Sequence, residues 1–587
     1  MSPSPTMQRI RQCILPKRPS RTGSPGRWAL PSAPTTAGGT RSLRAATRPE
    51  FGHFQTSLPL RLARPTGLTP RQAGQRLLDA LHCEDLCLPP VLAGQGFINF
   101  TLRPEFLAGQ VSVMLADDRL GAALVSSRQR VVIDFSSPNV AKQMRVWHLR
   151  STVIGDCLAR VLAFAGYDVV RQNHLGDWGT QFGILIEQVL DEGHDGGDLD
   201  LDDLDALYRR SRSRFDTDDA FADRSRSRVV ALQAGDPQTR AVWQRLVAVS
   251  LTAFEQTYAR LGAQLTAADV AAESSYNDDL PRVVSDLTVA GLLTESHGAL
   301  CAFLPDFTGR DGSPLPLIVR KADGGFGYDA TDLAALRHRV DTLGADRLVY
   351  VVDVRQSLHF DQVFALARAA GWLPATVQAE HVPFGTVLGE DGKPFKSRSG
   401  HSVSLSWLLD QAEAKAAALL DARGSDLAEP ARSATALAVA MGAVKYADLV
   451  NDLGRDYRFA LDRMVAMDGD TGPYLQYAHA RLASLLAKAP DARAQVLLLQ
   501  HPAEQRLALA VTGFADTIEH VAATLEPHRL CGYLYQVATA LSVFYEQCPV
   551  LTAAGEVRTS RLALCLATRR VLATGLGLLG ITAPDRM

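Results

Sequence analysis

The 587-residue chain is predicted to be an α/β protein, with a small α/β segment in front of the main domain and a helical bundle behind it. Three features of the sequence support this. Between about 130 and 410, short β-branched runs alternate with amphipathic stretches, as in a doubly wound parallel sheet with a mostly helical insertion at about 190–280. From about 52 to 118, one aromatic and β-branched strand stands among helices. From about 430 to 587, Ala- and Leu-rich stripes such as ARLASLLAKA recur, which reads as a helix bundle.

Taken in order, residues 1–51 are rich in Ser, Pro, Arg and Gly, with Glu50 the single acidic residue. So few apolar side chains cannot offset the entropy of ordering, so a disordered tail is expected. A targeting peptide is the competing reading, and the prolines oppose the amphipathic helix it needs. In the next segment LTPRQAGQRLLDAL has a Thr cap, then Pro, then an apolar stripe, and reads as a helix. GQGFINFTL is a strand and RPEFLAGQVSVMLADD a helix, while FGHFQTSLPLRLA reads as an opening strand. The pair in CEDLC, Cys83 and Cys87, has no His or Cys cluster beside it and is read as helix packing. The chain's eight cysteines suit free thiols in a reducing cytoplasm, and no metal site is expected.

VVIDF (131–135) is a buried strand. HLRSTVIGDCLARVLAFAG repeats apolar residues at helical steps and stops at Gly166, and YDVVRQN starts the next strand. The result is a βαβ unit with a polar loop at the helix N-terminus, where free N–H groups and the helix dipole favour an anion. LVYVVDV (348–354) is the plainest later strand. The stretch YRRSRSRFDTDDAFADRSRSRVVALQ mixes acids with its arginines and reads as a solvated helical face rather than an RNA site. With a formal net charge of −2, any nucleic-acid contact must be a local patch. No apolar run is long enough to span a bilayer.

Five stretches then come together in order: SSPNVAKQMRVWHLRST, NHLGDWGTQFG (173–183), KPFKSRSG (393–400), DTGPYLQYAHARL (470–482) and the C-terminal LGITAPDRM. As a set the chain resembles the bacterial type of arginyl-tRNA synthetase from about residue 52 to 587. The resemblance implies a Rossmann-type class I synthetase catalytic domain, an N-terminal domain touching the tRNA elbow, and a C-terminal helical domain reading the anticodon. It implies arginine activation by ATP, with Mg2+, and transfer to the 3′ end of tRNA(Arg) by a cytoplasmic monomer with no membrane association.

The guanidinium is a planar fork of five donors, so its pocket should offer carboxylates and neutral acceptors. The resemblance places Tyr328, Asp332 and Gln356 around the side chain of the substrate, and Asp134 and Asn139 around its α-amino and carbonyl ends. Tyr328 and Asp332, four apart, share a helical face. Read singly, Tyr328 is core, Asp332 a surface charge and Gln356 a turn residue. The resemblance gives catalysis to His148, Lys142, Lys396 and Arg145, and the nucleotide to Ser137, Trp147, His148, His359, Lys396, Ser397 and Arg398. Ser399 replaces the second lysine of the Lys-Met-Ser-Lys-like loop, and the resemblance implies that Lys142, just before the His-x-Gly-His position, compensates.

The departure is at the His-x-Gly-His signature, which here reads Arg145, Val146, Trp147, His148. In the family the Gly lets adenine stack on the backbone. An indole there either fills the slot, at about 1–3 kcal/mol for overpacking, or swings out. Three readings stay open: a ligase with a rebuilt nucleotide site, a diverged copy that binds tRNA or serves specialised arginine transfer, or an artefact at two codons. For tRNA the chain offers Tyr474, Tyr477 and Arg481 on one helical face, Arg586 and Met587 at the tail, and Phe54, Gln55 and Asn99 at the N-terminal domain. His479 is a further candidate, and the competing reading packs the tyrosines in the bundle core.

Overall fold

The computed structural model describes residues 43–587 except 47, 194–199, 310, 323, 390, 394–402, 425 and 490–496. The chain forms two compact units. One takes the residues up to Ala123 with Arg481–Ala523 and Tyr533–Leu572; the other takes Leu124–Ala480, Thr524–Gly532 and Ala573–Met587.

The first unit holds a four-stranded antiparallel sheet of order β1-β2-β4-β3, from β1 (Leu43–Ala45), β2 (Phe54–Thr56), β3 (Val91–Ala93) and β4 (Phe97–Phe100). Around it lie α1 (Leu58–Thr66), α2 (Pro70–Ala80) and α3 (Pro104–Ala116). Three expectations change here. The tail does not extend to residue 51, because Leu43 is buried and β1 pairs with β2. FGHFQTSLPLRLA is a strand only over Phe54–Thr56, since Pro59 opens α1 in the first turn, where a missing N–H costs nothing. Cys83 and Cys87 are buried in a turn rather than a helix, because α2 ends in extended backbone at Leu81 and Cys87 bridges Leu102. The Thr69 cap of α2 is reciprocal: its hydroxyl accepts from Gln72 N–H at 3.2 Å and Gln72 Oε1 accepts from Thr69 N–H at 3.0 Å. Later in the chain, Pro502–Val511 packs on α3, and Arg570 donates to the Leu115 carbonyl at 2.7 Å.

The second unit is built on a parallel sheet. β5 (Arg130–Asp134) runs into α4 (Val146–Ala165) and then β6 (Asp168–Gln172). Gly166 ends α4 at φ 98°, a left-handed cap that suits glycine. The insertion follows as α5 (Thr180–Asp191), α6 (Leu201–Thr217), α7 (Asp219–Ala234) and α8 (Pro237–Leu261), with α9 (Leu280–Val289) behind. Its arginines are engaged internally: Arg224 and Arg228 both bind Glu187, and Arg214 binds Asp191 and Asp218.

The alternation of strand and helix then breaks. β7 (Thr294–Ser296), β8 (Ala299–Thr308) and β9 (Pro314–Arg320) form an antiparallel sheet of their own, which the expectation of an unbroken parallel sheet had not foreseen. β9 alternates in burial, as in a sheet with one wet face, and Ala302, Leu317 and Val319 feed the core. α10 (Tyr328–Asp341), β10 (Arg347–Asp353), α11 (Ser357–Ala369) and β11 (Gln378–Phe384) complete the parallel order β11-β10-β5-β6. The connection after β5 leads to β6 on one side, and that after β10 leads to β11 on the other. The crevice beyond the carboxyl ends of β5 and β10 is therefore the switch point where α/β folds bind ligands.

α12 (Leu405–Ala422) and α13 (Ala431–Leu449) belong to this same unit. A fully buried ion pair joins α13 to α4. Arg150 Nε meets Asp448 Oδ1 at 3.2 Å, and Arg150 Nη1 donates to the carbonyls of Gly385 and Arg455 at 2.9 and 3.1 Å. The closing residues of the chain are held by buried donors: Lys445 Nζ reaches Gly580 O at 2.6 Å, and Gln476 Nε2 reaches Thr582 O at 2.8 Å.

Candidate active site

The chain turns sharply after β5. Ser136, Ser137 and Ala141 all have left-handed backbone, at φ 72°, 46° and 61°, a strain that non-glycine residues keep only when their surroundings impose it. Side chains supply that restraint. Ser136 N–H donates to Ser151 Oγ at 2.8 Å, Ser137 N–H to Asn173 Oδ1 at 3.0 Å, and Ala141 N–H to Ser250 Oγ at 2.9 Å. Below the turn α4 lies very close to the sheet: a Cβ on Gly155 would sit 2.2 Å from Phe135 Cγ. The loop thus delivers Asn139, Lys142 and the N-terminus of α4 to the switch point.

His148 lies in the first turn of α4. Its Nδ1 accepts the Arg145 backbone N–H at 2.9 Å, so the ring proton sits on Nε2, which is left to donate. Burial, then the charges of Arg145 and Lys142, lower its pKa to about 4, so the imidazole is neutral at neutral pH. Trp147 is 47% exposed and its ring lies 5.6 Å from that of His148, tilted by 50°. Of the two placements open to the indole, the structure has the outward one. The Arg145 guanidinium is paired: its Nη2 is 3.0 Å from both carboxylate oxygens of Asp205 on α6. The Lys142 ammonium stands 4.3 Å from the ring centre of Tyr208 on the same helix.

A second cluster, on α10 and α11, is acidic. Asp332 on α10 receives His359 of α11 at 2.6 Å, with His174 Nε2 3.7 Å away. Burial alone would raise the Asp332 pKa. The His359 hydrogen bond, with the charges of His174, His359 and Arg339, outweighs burial and holds the carboxyl below its ordinary value. His359 also binds Asp329 at 3.0 Å. Burial disfavours its charge, but the two carboxylates push its pKa up to about 10, so it is a cation. His359, expected at the nucleotide, has these two carboxylates as its partners.

Glu273 was missed in the sequence. It is buried, and burial, then the charges of Asp332 and Asp177, push its carboxyl up to about 8. Nothing near it in AAESSYNDD marks it, and its importance comes only from folding next to Asp332. Arg339 is equally illegible; its Nη2 binds Asp134 Oδ2 at 2.7 Å and its Nε donates to Gln172 Oε1 at 2.5 Å. Asp134 also accepts the Ser137 hydroxyl at 3.0 Å. Asn139 is exposed, with its backbone bridged to Gly176. Tyr328 opens α10 and is 69% exposed, and Gln356 is exposed at the start of α11, three residues before His359. Lys396, Ser397 and Arg398 lie outside the described residues. Among the described residues there is no cluster of three or more metal-ligating side chains.

The residues expected at tRNA are scattered. Gln55 Nε2 donates to Asn99 Oδ1 at 2.8 Å across the β2–β4 pair, and Phe54 is half-buried. Tyr474, Tyr477 and Arg481 lie on the helix Gly472–Ala487. Tyr474 is half-buried, Tyr477 is exposed, and the Arg481 guanidinium stacks 3.5 Å from the ring centre of Tyr545. His479 is buried on the Pro584 carbonyl at 3.0 Å, which takes it out of any exposed face. Arg586 pairs with Asp426 at 2.9 Å, and Met587 packs on the cluster of Leu420, Ala436 and Met467.

Known proteins match along nearly the whole chain. Residues 110–461 match the family described as tRNA synthetases class I (R), catalytic domain; residues 475–587 match the DALR anticodon binding domain; and residues 36–102 match the arginyl tRNA synthetase N terminal domain. The arginine–tRNA ligase of Cutibacterium acnes is 53% identical over 560 residues, covering 93% of this chain and 96% of that protein. That of Frankia casuarinae is 51% identical over 551 residues, covering 92% and 94%. Among solved structures, Plasmodium falciparum arginyl-tRNA synthetase superposes with a TM-score of 0.80 at 28% identity, covering 93% of this chain and 94% of that one. The Thermus thermophilus arginyl-tRNA synthetase does so with 0.78 at 27%, covering 93% and 96%.

Proposed function

This chain belongs to the arginyl-tRNA synthetase family, and with that established we propose how its own residues perform the reaction. It is an ATP-dependent arginine–tRNA ligase. The observation that best supports a site for arginine is the acidic cluster on α10, where Asp332 and Asp329 hold the His359 cation and the buried Glu273 carboxyl feels the Asp332 charge.

The arginine guanidinium is accepted by Asp332 and Glu273, with Tyr328 and Gln356 along the stem. Asp134 keeps lone pairs beyond those given to Arg339 and Ser137, and with Asn139 it takes the α-amino end. Arginine's carboxylate attacks the α-phosphorus of ATP. The new bond is carboxylate oxygen to phosphorus, and the bond to the bridging oxygen breaks, releasing pyrophosphate. The protein supplies position and positive charge rather than a covalent intermediate. His148 donates from Nε2 without carrying charge, and Lys142 and Arg145 supply charge at the N-terminus of α4, which itself favours phosphate. Lys396, Ser397 and Arg398 are assigned to the same phosphates, and Ser137 to the nucleotide. Mg2+ enters with ATP as part of the substrate. The terminal ribose hydroxyl of tRNA(Arg) then attacks the adenylate carbonyl, expelling AMP.

Tyr474, Tyr477 and Arg481 are assigned to the anticodon, as are the tail residues Arg586 and Met587; Phe54, Gln55 and Asn99 are assigned to the elbow. The chain works as a monomer in the cytoplasm; no helix among the described residues is long and apolar enough to cross a membrane. The test is pyrophosphate exchange and charging with arginine, ATP and tRNA(Arg). Exchange dependent on tRNA is expected. No exchange and no charging at millimolar ATP would overturn the reading. Within it, His148→Ala should lower kcat roughly 100- to 1000-fold, the usual loss for a donor aimed at transition-state charge.

A further inference from the structure

The replacement of the first signature histidine by Arg145 is answered elsewhere in the fold. α6, part of the insertion, presents Asp205, Tyr208 and Arg209 along one face, three and four residues apart. Asp205 holds Arg145 Nη2 by both oxygens at 3.0 Å, and Arg209 Nη1 anchors the same carboxylate at 2.7 Å. The pair is largely shielded, with 18% of the Arg145 side chain and 8% of the Asp205 side chain exposed. Tyr208 faces the Lys142 ammonium. One helix thus covers both long cations flanking the N-terminus of α4. A carboxylate and a phosphate offer a guanidinium the same forked oxygens, so each competes with the other for Arg145.

We propose that Asp205 is a positioning residue that occupies the Arg145 guanidinium while the nucleotide is absent and yields it to the ATP phosphates, so that α6 sets the nucleotide affinity of this chain. The inference rests on reading the switch-point crevice as the ATP site. Binding requires no bond chemistry: one oxygen pair replaces another on the same nitrogens, and Asp205 retains Arg209. The arginine at this position reaches α6, and Arg145 and Asp205 therefore act as a unit.

The test is a double-mutant cycle on the full chain, read as KM for ATP against KM for arginine and kcat in tRNA charging. Asp205→Asn should lower KM for ATP roughly 3- to 10-fold, because a carboxylate no longer competes with phosphate for the Arg145 guanidinium, with KM for arginine unmoved. In an Arg145→Met background the same substitution should do nothing. An unchanged or raised KM for ATP in Asp205→Asn, or the same fall in the Arg145→Met background, overturns the proposal. Should Asp205→Asn lose its cooperative melt, the wild-type chain decides. Amide exchange across Leu201–Thr217 should quicken on saturation with Mg–ATP, and unchanged or slower exchange overturns the proposal. Absence of charging by the wild-type chain would instead count against the ligase reading, which separates the two failures.

Discussion

Glu273 is a buried carboxyl whose neighbours, Asp332 and Asp177, add to burial in pushing its pKa to about 8. The sign follows directly. Below that value the group is protonated and offers a guanidinium one charge fewer; above it the full acceptor is present. KM for arginine should therefore fall as pH rises from 6.5 towards 8, and level off beyond. Glu273→Gln should abolish that slope and raise KM roughly 10- to 100-fold, the cost of one charged hydrogen bond; charging assays across that pH range decide it. At Trp147 the exposed indole predicts the opposite of a plugged site. Trp147→Ala should change stability by no more than about 0.5 kcal/mol in urea, as for other surface positions. Residue by residue, what was legible is what the aligned motifs carried. Asp332, His148 and Lys142 could be named because they sit inside motifs of the family. Glu273, Asp205 and Arg339 could not, since each acquires its role only by meeting a residue dozens to hundreds of positions away.

The helix α4 shows how an element carries function through packing. Its N-terminus is placed by the approach of Gly155 to Phe135, so a side chain there must push helix and strand apart. Gly155→Ala should cost about 1–3 kcal/mol in urea unfolding and should lower kcat through misplacement of His148. A change of similar size at a helix end, Thr69→Ala, should cost about 1 kcal/mol and leave the kinetics of adenylate formation alone, because α2 lies in the other unit. Elements with a clean period or a cap, such as β5, α4, β6, α2 and β10, were legible from local chemistry alone. The antiparallel β7–β9 sheet was not: its apolar alternation is short, interrupted by prolines and a bulge, and looks from sequence like more of the α/β pattern. Leu43 failed for a different reason, because a three-residue strand gains its stability from the ladder it joins and has no signature of its own.

Across the second unit, the buried Arg150–Asp448 pair ties the signature helix to α13. Removing one partner strands the other's charge away from water, so Arg150→Met should cost about 3–5 kcal/mol in urea unfolding; Arg150→Met with Asp448→Leu should recover part of it. By contrast the Arg586–Asp426 pair is open to solvent, at 65% and 82% exposure, and Arg586→Ala should be nearly silent in the same measurement. The acidic cluster formed by Asp332, Glu273 and Asp329 has a consequence at the bench. Guanidinium chloride is a salt of the very cation this crevice is proposed to select. Titrating the enzyme with it should inhibit charging well before the helical circular dichroism falls, whereas urea, a neutral analogue, should abolish both together.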